Sequence, residues 1–401
     1  MTSASPLSHV EAAPADPILG LSAAFARDGN PDKINLGVGE YRDVRNDTPI
    51  LAAVSTAQTR ILKSETSKRY LSIDGSPEYG AVVRDLVLGN NFGIEDERCA
   101  VVQAPGGTGA LRVAGDFIHT QLPGTRLWLS DPTWANHPKI FSAAGVETAE
   151  YRYYDAHAHG LDYDGFRRDL EKVPAGEAVL LHGCCHNPTG VDLQPDQWDE
   201  IGGLLAARGV LPLVDFAYQG FGNGLEEDAA GLRMLARQVP DLFVANSFSK
   251  NFGLYRERVG ALLAVTESAE ATANVLSQLK ICIRSNFSNP PAHGSAIVTE
   301  ILGDPALRSQ WLSELTVMRD RINGMRALLV ERLEDRGVAK GSFDFILDQR
   351  GMFSFSGLSP EQVDRLRKEY AIYIVDSGRI NVAGITLDAV DYLCDAIASV
   401  L

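Results

Sequence analysis

The chain is short of cysteine, of positive charge and of long apolar runs, and each shortage removes a class of function. Its five cysteines, Cys99, Cys184, Cys185, Cys282 and Cys394, form an odd set without regular spacing. That argues against a disulfide framework and for a reducing compartment, with the cytoplasm as the expected location. The formal net charge is -15 over 401 residues. Such a balance repels nucleic acid and anionic membrane surfaces, although a local basic pocket can still hold a small anion. No window approaches the ~20 consecutive apolar residues that span a bilayer. The opening Met1 to Leu7 lacks the basic residues and apolar stretch of a secretory leader, so no export is expected. Repeats and low-complexity tracts are missing as well. With 45% hydrophobic residues, the chain is long enough for two domains, or one large domain with a lid.

The middle of the sequence alternates short apolar runs with amphipathic stretches, the pattern of a mostly parallel sheet covered by helices. Leu127–Ser130, Ala178–His182, Val210–Asp215, Leu242–Ala245 and Val259–Val265 are apolar almost throughout, as strands buried on both faces should be. Four of them lead into polar motifs, which should converge beyond the carboxyl ends of the strands. Asp304-Pro305 offers a helix cap, and apolar spacing from Trp311 to Leu329 predicts a long helix ending near Gly337. Beyond it, a strand-like Met352–Phe355 and an amphipathic helix near Leu387 to Val400 suggest a smaller α+β unit. The first ~15 residues read as an extended arm, poorly held unless it lies on another subunit.

The segment Ser247-Phe248-Ser249-Lys250-Asn251-Phe252-Gly253-Leu254-Tyr255-Arg256-Glu257-Arg258 puts one lysine between hydroxyls and a second cation. A desolvated lysine beside other cations is neutral part of the time and can attack a carbonyl. The Ser247 and Ser249 hydroxyls with the Arg258 guanidinium suit a phosphate. An aldehyde and a phosphate together suggest pyridoxal phosphate, although a lone lysine is more often a solvated surface residue.

Other motifs add to this. Pro105-Gly106-Gly107-Thr108-Gly109 opens a helical pattern and offers amides and a hydroxyl to a phosphate. It fails as a dinucleotide fingerprint because Arg112 stands where the third glycine belongs. Asp215 ends an apolar run, with Tyr218 three residues on. A carboxylate there either caps the next helix or keeps a pyridine nitrogen protonated. In His182-Gly183-Cys184-Cys185-His186-Asn187-Pro188-Thr189-Gly190 the adjacent thiols do not have zinc spacing, so no metal is expected. Asn187 is either a turn residue or a donor to the cofactor's phenolic oxygen. Trp134 stacks on a ring or packs in the core. Arg379 and Arg284 each clamp a carboxylate or form a surface ion pair. Tyr70 either gives one more phosphate donor or packs.

Together these motifs resemble the aspartate/aromatic branch of the class I aminotransferases, most closely its bacterial aspartate members. The similarity runs from Ala13-Pro14-Ala15-Asp16-Pro17-Ile18-Leu19-Gly20-Leu21 to the C-terminus and includes Gly351-Met352-Phe353-Ser354-Phe355-Ser356-Gly357-Leu358. The resemblance implies the α/β architecture of fold type I pyridoxal-phosphate enzymes. That architecture has a large domain with a mostly parallel seven-stranded sheet (46–314), a smaller α+β domain (16–45 plus 315–401) and an arm (1–15). It implies that Lys250 carries the cofactor as a covalent aldimine and then shuttles the proton, with Asp215 on the pyridine nitrogen. Tyr218 and Asn187 are implied at the ring oxygen and Trp134 on the ring face. Gly107, Thr108, Ser247 and Arg258 are implied at the phosphate, joined by Tyr70 from the neighbouring subunit of a homodimer. Arg379 is implied at the substrate α-carboxylate, Arg284 of the neighbour at the distal carboxylate, and the backbone at Gly39 over the substrate. The implied reaction is ping-pong transfer between L-aspartate and 2-oxoglutarate, with aromatic amino acids as slower donors. The alternatives are an aromatic-amino-acid aminotransferase of the same branch, a β-decarboxylase or lyase, and a ligand-sensing regulator. One position departs from the pattern: Glu40, at the pocket mouth, disfavours a dicarboxylate unless Arg42 or another cation pairs with it.

Overall fold

The computed structural model describes residues 5, 7–13, 16, 18–89, 93 and 95–401. Residues 1–4, 6, 14 and 15 of the expected arm lie outside these, as does Pro17; residues 7–13 are exposed. Seven strands build the main sheet: β1 (Cys99–Ala104), β2 (Leu127–Asp131), β3 (Thr148–Arg152), β4 (Ala178–His182), β5 (Leu211–Phe216), β6 (Leu242–Ser247) and β7 (Gly260–Val265). Their spatial order is β1-β7-β6-β5-β4-β2-β3. Every pairing is parallel except those of β7, which runs antiparallel to both β1 and β6.

Alternation along the strands feeds two cores, as a sheet covered on both faces requires. Leu213, Phe243, Ala245, Leu262 and Ala264 enter one apolar cluster. Their neighbours Val214, Phe216, Val244, Ala261 and Leu263 enter the other. All five apolar runs singled out in the sequence are strands here, within one or two residues at their ends. The remaining two strands, β1 and β3, form the sheet's edges.

Helix α1 (Gly106–Gln121) follows β1 directly, and α2 (Ala269–Asn286) follows β7. The long helix is α3 (Pro305–Asp335), and its Asp304 cap accepts hydrogen bonds from the amides of Ala306 (2.8 Å) and Leu307 (3.0 Å). Trp311, Leu315, Met318, Ile322 and Leu329 are buried along it. The smaller α+β unit holds β8 (Phe353–Phe355), antiparallel to β9 (Arg379–Asn381), with helix α4 (Leu387–Val400) at the end of the chain. Buried Arg326 of α3 ties β8 in place by donating to the carbonyls of Gly351 and Phe353. A second small pairing sets Ile34–Asn35 parallel to Ile372–Tyr373. Among the described residues, no helix is long and apolar enough to cross a membrane.

Candidate active site

The sheet directs the site. Ladder register puts His182 beside Asp215, Asp215 beside Ala245, and Phe216 beside Asn246. Antiparallel β7 begins with Gly260 opposite both Ser247 and Ala104. The carboxyl ends of β1, β4, β5 and β6 therefore lie along one edge, and the residues that follow them meet there. A cavity of about 240 Å³ opens at that edge. It is lined by Gly39, Gly107, Thr108, Trp134, Asn187, Asp215, Tyr218, Ser247, Lys250, Arg258 and Arg379. Tyr70 and Arg284 are not in its wall.

Lys250 follows β6 in the turn that begins at Ser249, and its Nζ sits 5.1 Å from the centre of the Tyr218 ring. Loss of solvent lowers its pKa to about 8; nearby Asp215 opposes the shift and Arg258 and Arg379 assist it. Arg258 reaches the Ser249 hydroxyl at 3.4 Å and the Tyr255 carbonyl at 2.8 Å. The Ser247 hydroxyl donates in turn to Ser249 at 3.2 Å. The N-terminus of α1 has no side-chain cap, so its free amides at Gly107 and Thr108 add to this polar wall. Gly106 has φ +72, and a Cβ there would lie 2.6 Å from the Arg258 guanidinium. Only glycine lets the turn pass so close to that cation.

Asp215 is buried and accepts from His137 Nε2 at 3.1 Å. Burial alone would raise its carboxyl, but the hydrogen bond from His137 and the nearby Lys250 charge help to outweigh burial and lower the pKa. The carboxylate caps no helix. His137 is fixed from behind by Thr133 Oγ1, 2.8 Å from its Nδ1. Asn187 and Arg379 form one unit, with Arg379 Nη1 donating to Asn187 Oδ1 at 3.1 Å and Nη2 to the Gly37 carbonyl at 2.6 Å. Arg379 is 4% exposed, and its buried Nε has no hydrogen-bond partner. Burial lowers its pKa to about 10. The guanidinium lies 4.2 Å from the centre of the Phe353 ring, and a Cβ on Gly39 would stand 2.6 Å from that ring.

Among the described residues, none of Lys250, Arg258 and Arg379 pairs with a carboxylate. Three cations facing one cavity without acidic partners make a receptor for anions. A buried guanidinium donor left free accords with a carboxylate ligand. The Ser247 and Ser249 hydroxyls, the α1 amides and Arg258 in the same wall fit a phosphate. The residues present thus fit a phosphorylated aldehyde together with an acid substrate.

Tyr70 is 91% exposed, and Arg284, in the last turn of α2, is exposed and donates to Ser288 Oγ. Asn289 joins their segments, since its side chain accepts from Ser288 at 3.1 Å and donates to the Leu71 carbonyl at 2.8 Å. Both residues therefore belong to one surface region. Glu40 is half-buried, and Arg42 turns instead to Asn46, donating to its carbonyl and side-chain oxygens at 3.1 Å. Arg42 is therefore not the cation that pairs with Glu40. Sequence reasoning also missed Ile18, Tyr255 and Phe353 in the cavity wall and His137 behind Asp215. His137 carried a readable signal, lying three residues after Trp134 in a motif that follows a strand.

Comparison with known proteins agrees with this geometry. The sequence profile of the family described as aminotransferase class I and II matches residues 31–397. The aspartate aminotransferase of Haemophilus influenzae is 52% identical over 394 residues, covering 98% of this chain and 99% of that protein. The aromatic-amino-acid aminotransferase of Pseudomonas aeruginosa is 48% identical, covering 96% of this chain and 97% of that one. The crystal structure of the aromatic-amino-acid aminotransferase from Burkholderia pseudomallei, covalently bound to pyridoxal phosphate, superimposes with a TM-score of 0.95. It is 48% identical and covers 99% of this chain and 100% of that one. With nearly its whole length matched and a cation-lined cavity where the motifs converge, the chain belongs to the class I and II aminotransferases.

Proposed function

We propose that this aminotransferase uses pyridoxal phosphate to move an amino group between L-aspartate and 2-oxoglutarate, with aromatic amino acids as slower donors. The observation that carries the reading is one cavity holding an amine of lowered pKa together with two unpaired guanidinium groups. When bound, the cofactor supplies an aldehyde for the amino group and a ring that draws electrons from the substrate Cα. Gly107, Thr108, Ser247 and Arg258 hold its phosphate. Trp134 covers its face, Tyr218 and Asn187 donate at the ring oxygen, and Asp215 keeps a proton on the pyridine nitrogen. Lys250 binds the aldehyde and then, as general acid and base, moves the proton at the substrate Cα. Arg379 orients the α-carboxylate, and Gly39 closes over the substrate.

Tyr70 and Arg284 complete the site of a second copy in a homodimer, with Tyr70 at the phosphate and Arg284 at the distal carboxylate. Their shared exposed region, away from their own cavity, supports that reading. The proposed division is an arm at 1–15, a small domain at 16–45 plus 315–401 and a large domain at 46–314. Five free cysteines suit a cytoplasmic location.

Steady-state kcat/KM for aspartate, glutamate, phenylalanine and tyrosine, each with 2-oxoglutarate, tests the substrate order. Aspartate should lead. An aromatic donor in first place would transfer the assignment to the aromatic enzyme and point to unpaired Glu40 as the cause.

A second expectation concerns pH. Capture of the aldehyde requires neutral Lys250, and with a pKa of about 8 the neutral fraction rises about tenfold between pH 7 and pH 9 and then levels. Stopped-flow mixing of cofactor-free protein with pyridoxal phosphate should follow that curve. A rate that keeps climbing past pH 10 would mean that Lys250 titrates as an ordinary lysine.

A further inference from the structure

Three histidines lie in a row behind the site, and only one has no partner. His137 uses both ring nitrogens, on Thr133 and Asp215. His186 uses both as well, 3.0 Å from Ser130 Oγ and 2.9 Å from Thr189 Oγ1. Between them stands His182, its ring centre 5.3 Å from that of His137 and 4.1 Å from that of His186. It is 9% exposed, and both of its nitrogens are buried without a hydrogen-bond partner. Buried polar groups are rarely left so, and the exceptions call for an explanation.

The surroundings supply one. Ligand atoms of His137, His182 and Asp215 all lie within 4.8 Å of one another. Tetrahedral zinc, with bonds near 2.0 Å, sets its ligands about 3.3 Å apart. The His137–Asp215 separation of 3.1 Å is near that spacing, and closing the set on a metal requires the His182 nitrogen to move in from the looser 4.8 Å cluster. Neither ring nitrogen of His182 is engaged by a protein group, so the ring has a nitrogen to offer a metal. Asp215 also lines the cavity, which leaves a fourth position open toward it. Two imidazoles and a carboxylate suit a borderline divalent cation rather than magnesium or calcium.

We propose that, in the cofactor-free chain, His137, His182 and Asp215 bind a borderline divalent cation such as Zn²⁺, and that this binding excludes the cofactor. The exclusion rests on the reading that Asp215 serves the pyridine nitrogen. On binding, the His137 Nε2 proton moves to Nδ1, where Thr133 Oγ1 accepts it, and the metal takes its place. Neither thiol of the neighbouring turn is used.

The test is calorimetric titration of full-length, cofactor-free protein with Zn²⁺, paired with Co²⁺ spectroscopy. One equivalent per chain is expected, with a tetrahedral Co²⁺ spectrum lacking thiolate charge-transfer bands. H182Q should weaken uptake at least tenfold, and C185S should leave it unchanged. Absence of binding, strong thiolate bands, or equal uptake by H182Q would overturn the site. The Co²⁺ spectrum of the unaltered protein decides the ligand set even if H182Q folds poorly. Pyridoxal phosphate should release the metal, and loaded protein should take up none. If uptake depends on His182 but the cofactor does not displace the metal, the metal site stands and the role of Asp215 fails.

Discussion

Replacing Lys250 by alanine should lower kcat/KM for amino transfer by about 10⁵, the scale seen when a nucleophile that also moves protons is removed. Two losses combine. The variant has no amine to hold the aldehyde, and it has no base at the substrate Cα. Its neighbours cannot substitute, because Tyr218 is raised far out of range by burial first and by the Asp215 charge second, and Arg258 and Arg379 are guanidinium groups that stay protonated at neutral pH. Binding should survive much better than turnover, since the phosphate and carboxylate walls remain. Borohydride treatment followed by peptide mapping should label the Lys250 segment in the parent protein and nothing in the variant. Retention of both label and turnover would remove Lys250 from the mechanism.

For Asp215→Asn the expected loss is about 10³ in kcat, the size of one buried electrostatic contact aimed at developing charge. The substitution keeps the shape and deletes the charge. The native carboxyl is lowered below its usual value despite burial, because His137 donates to it. It therefore stays ionised through the neutral range, and Asp215 itself should add no inflection to the rate between pH 5 and pH 9. The KM for the amino acid should move only a few-fold, since Arg379 is untouched. A kcat within tenfold of the parent would assign the electron-withdrawing role elsewhere.

Much of this site could be read from the sequence because parallel strands buried on both faces are written as unbroken apolar runs. Chemistry begins where those runs stop. Asp215, Lys250 and Asn187 stand out for that reason. The edge strand Thr148–Arg152 escaped notice because Thr-Ala-Glu-Tyr-Arg has only one fully buried position, and so carries no apolar run. Cys99–Ala104 was apolar enough but lay outside the regular alternation of the middle segment. Phe353 was visible as part of a strand, yet its approach to Arg379 depends on a pairing across sequence-distant segments. Tyr70 and Arg284 gain meaning only beside a second copy, which no local pattern in one chain reveals. The free nitrogens of His182 belong to the same class, since a missing partner is a property of the packed interior.

The shared edge of the main sheet also limits how this protein can be lengthened. Asp215 points as it does because it stands two positions beyond Leu213, on the same face of β5, and ladder pairing with His182 holds that parity. One residue inserted within β5 would turn the carboxylate to the opposite face. The connection between α1 and β2, with Pro123 and Gly124 exposed, lies at the other end of the strands and bears no such constraint. A peptide tag or a reporter domain belongs there, where added length changes neither register nor the distance between Lys250 and its partners.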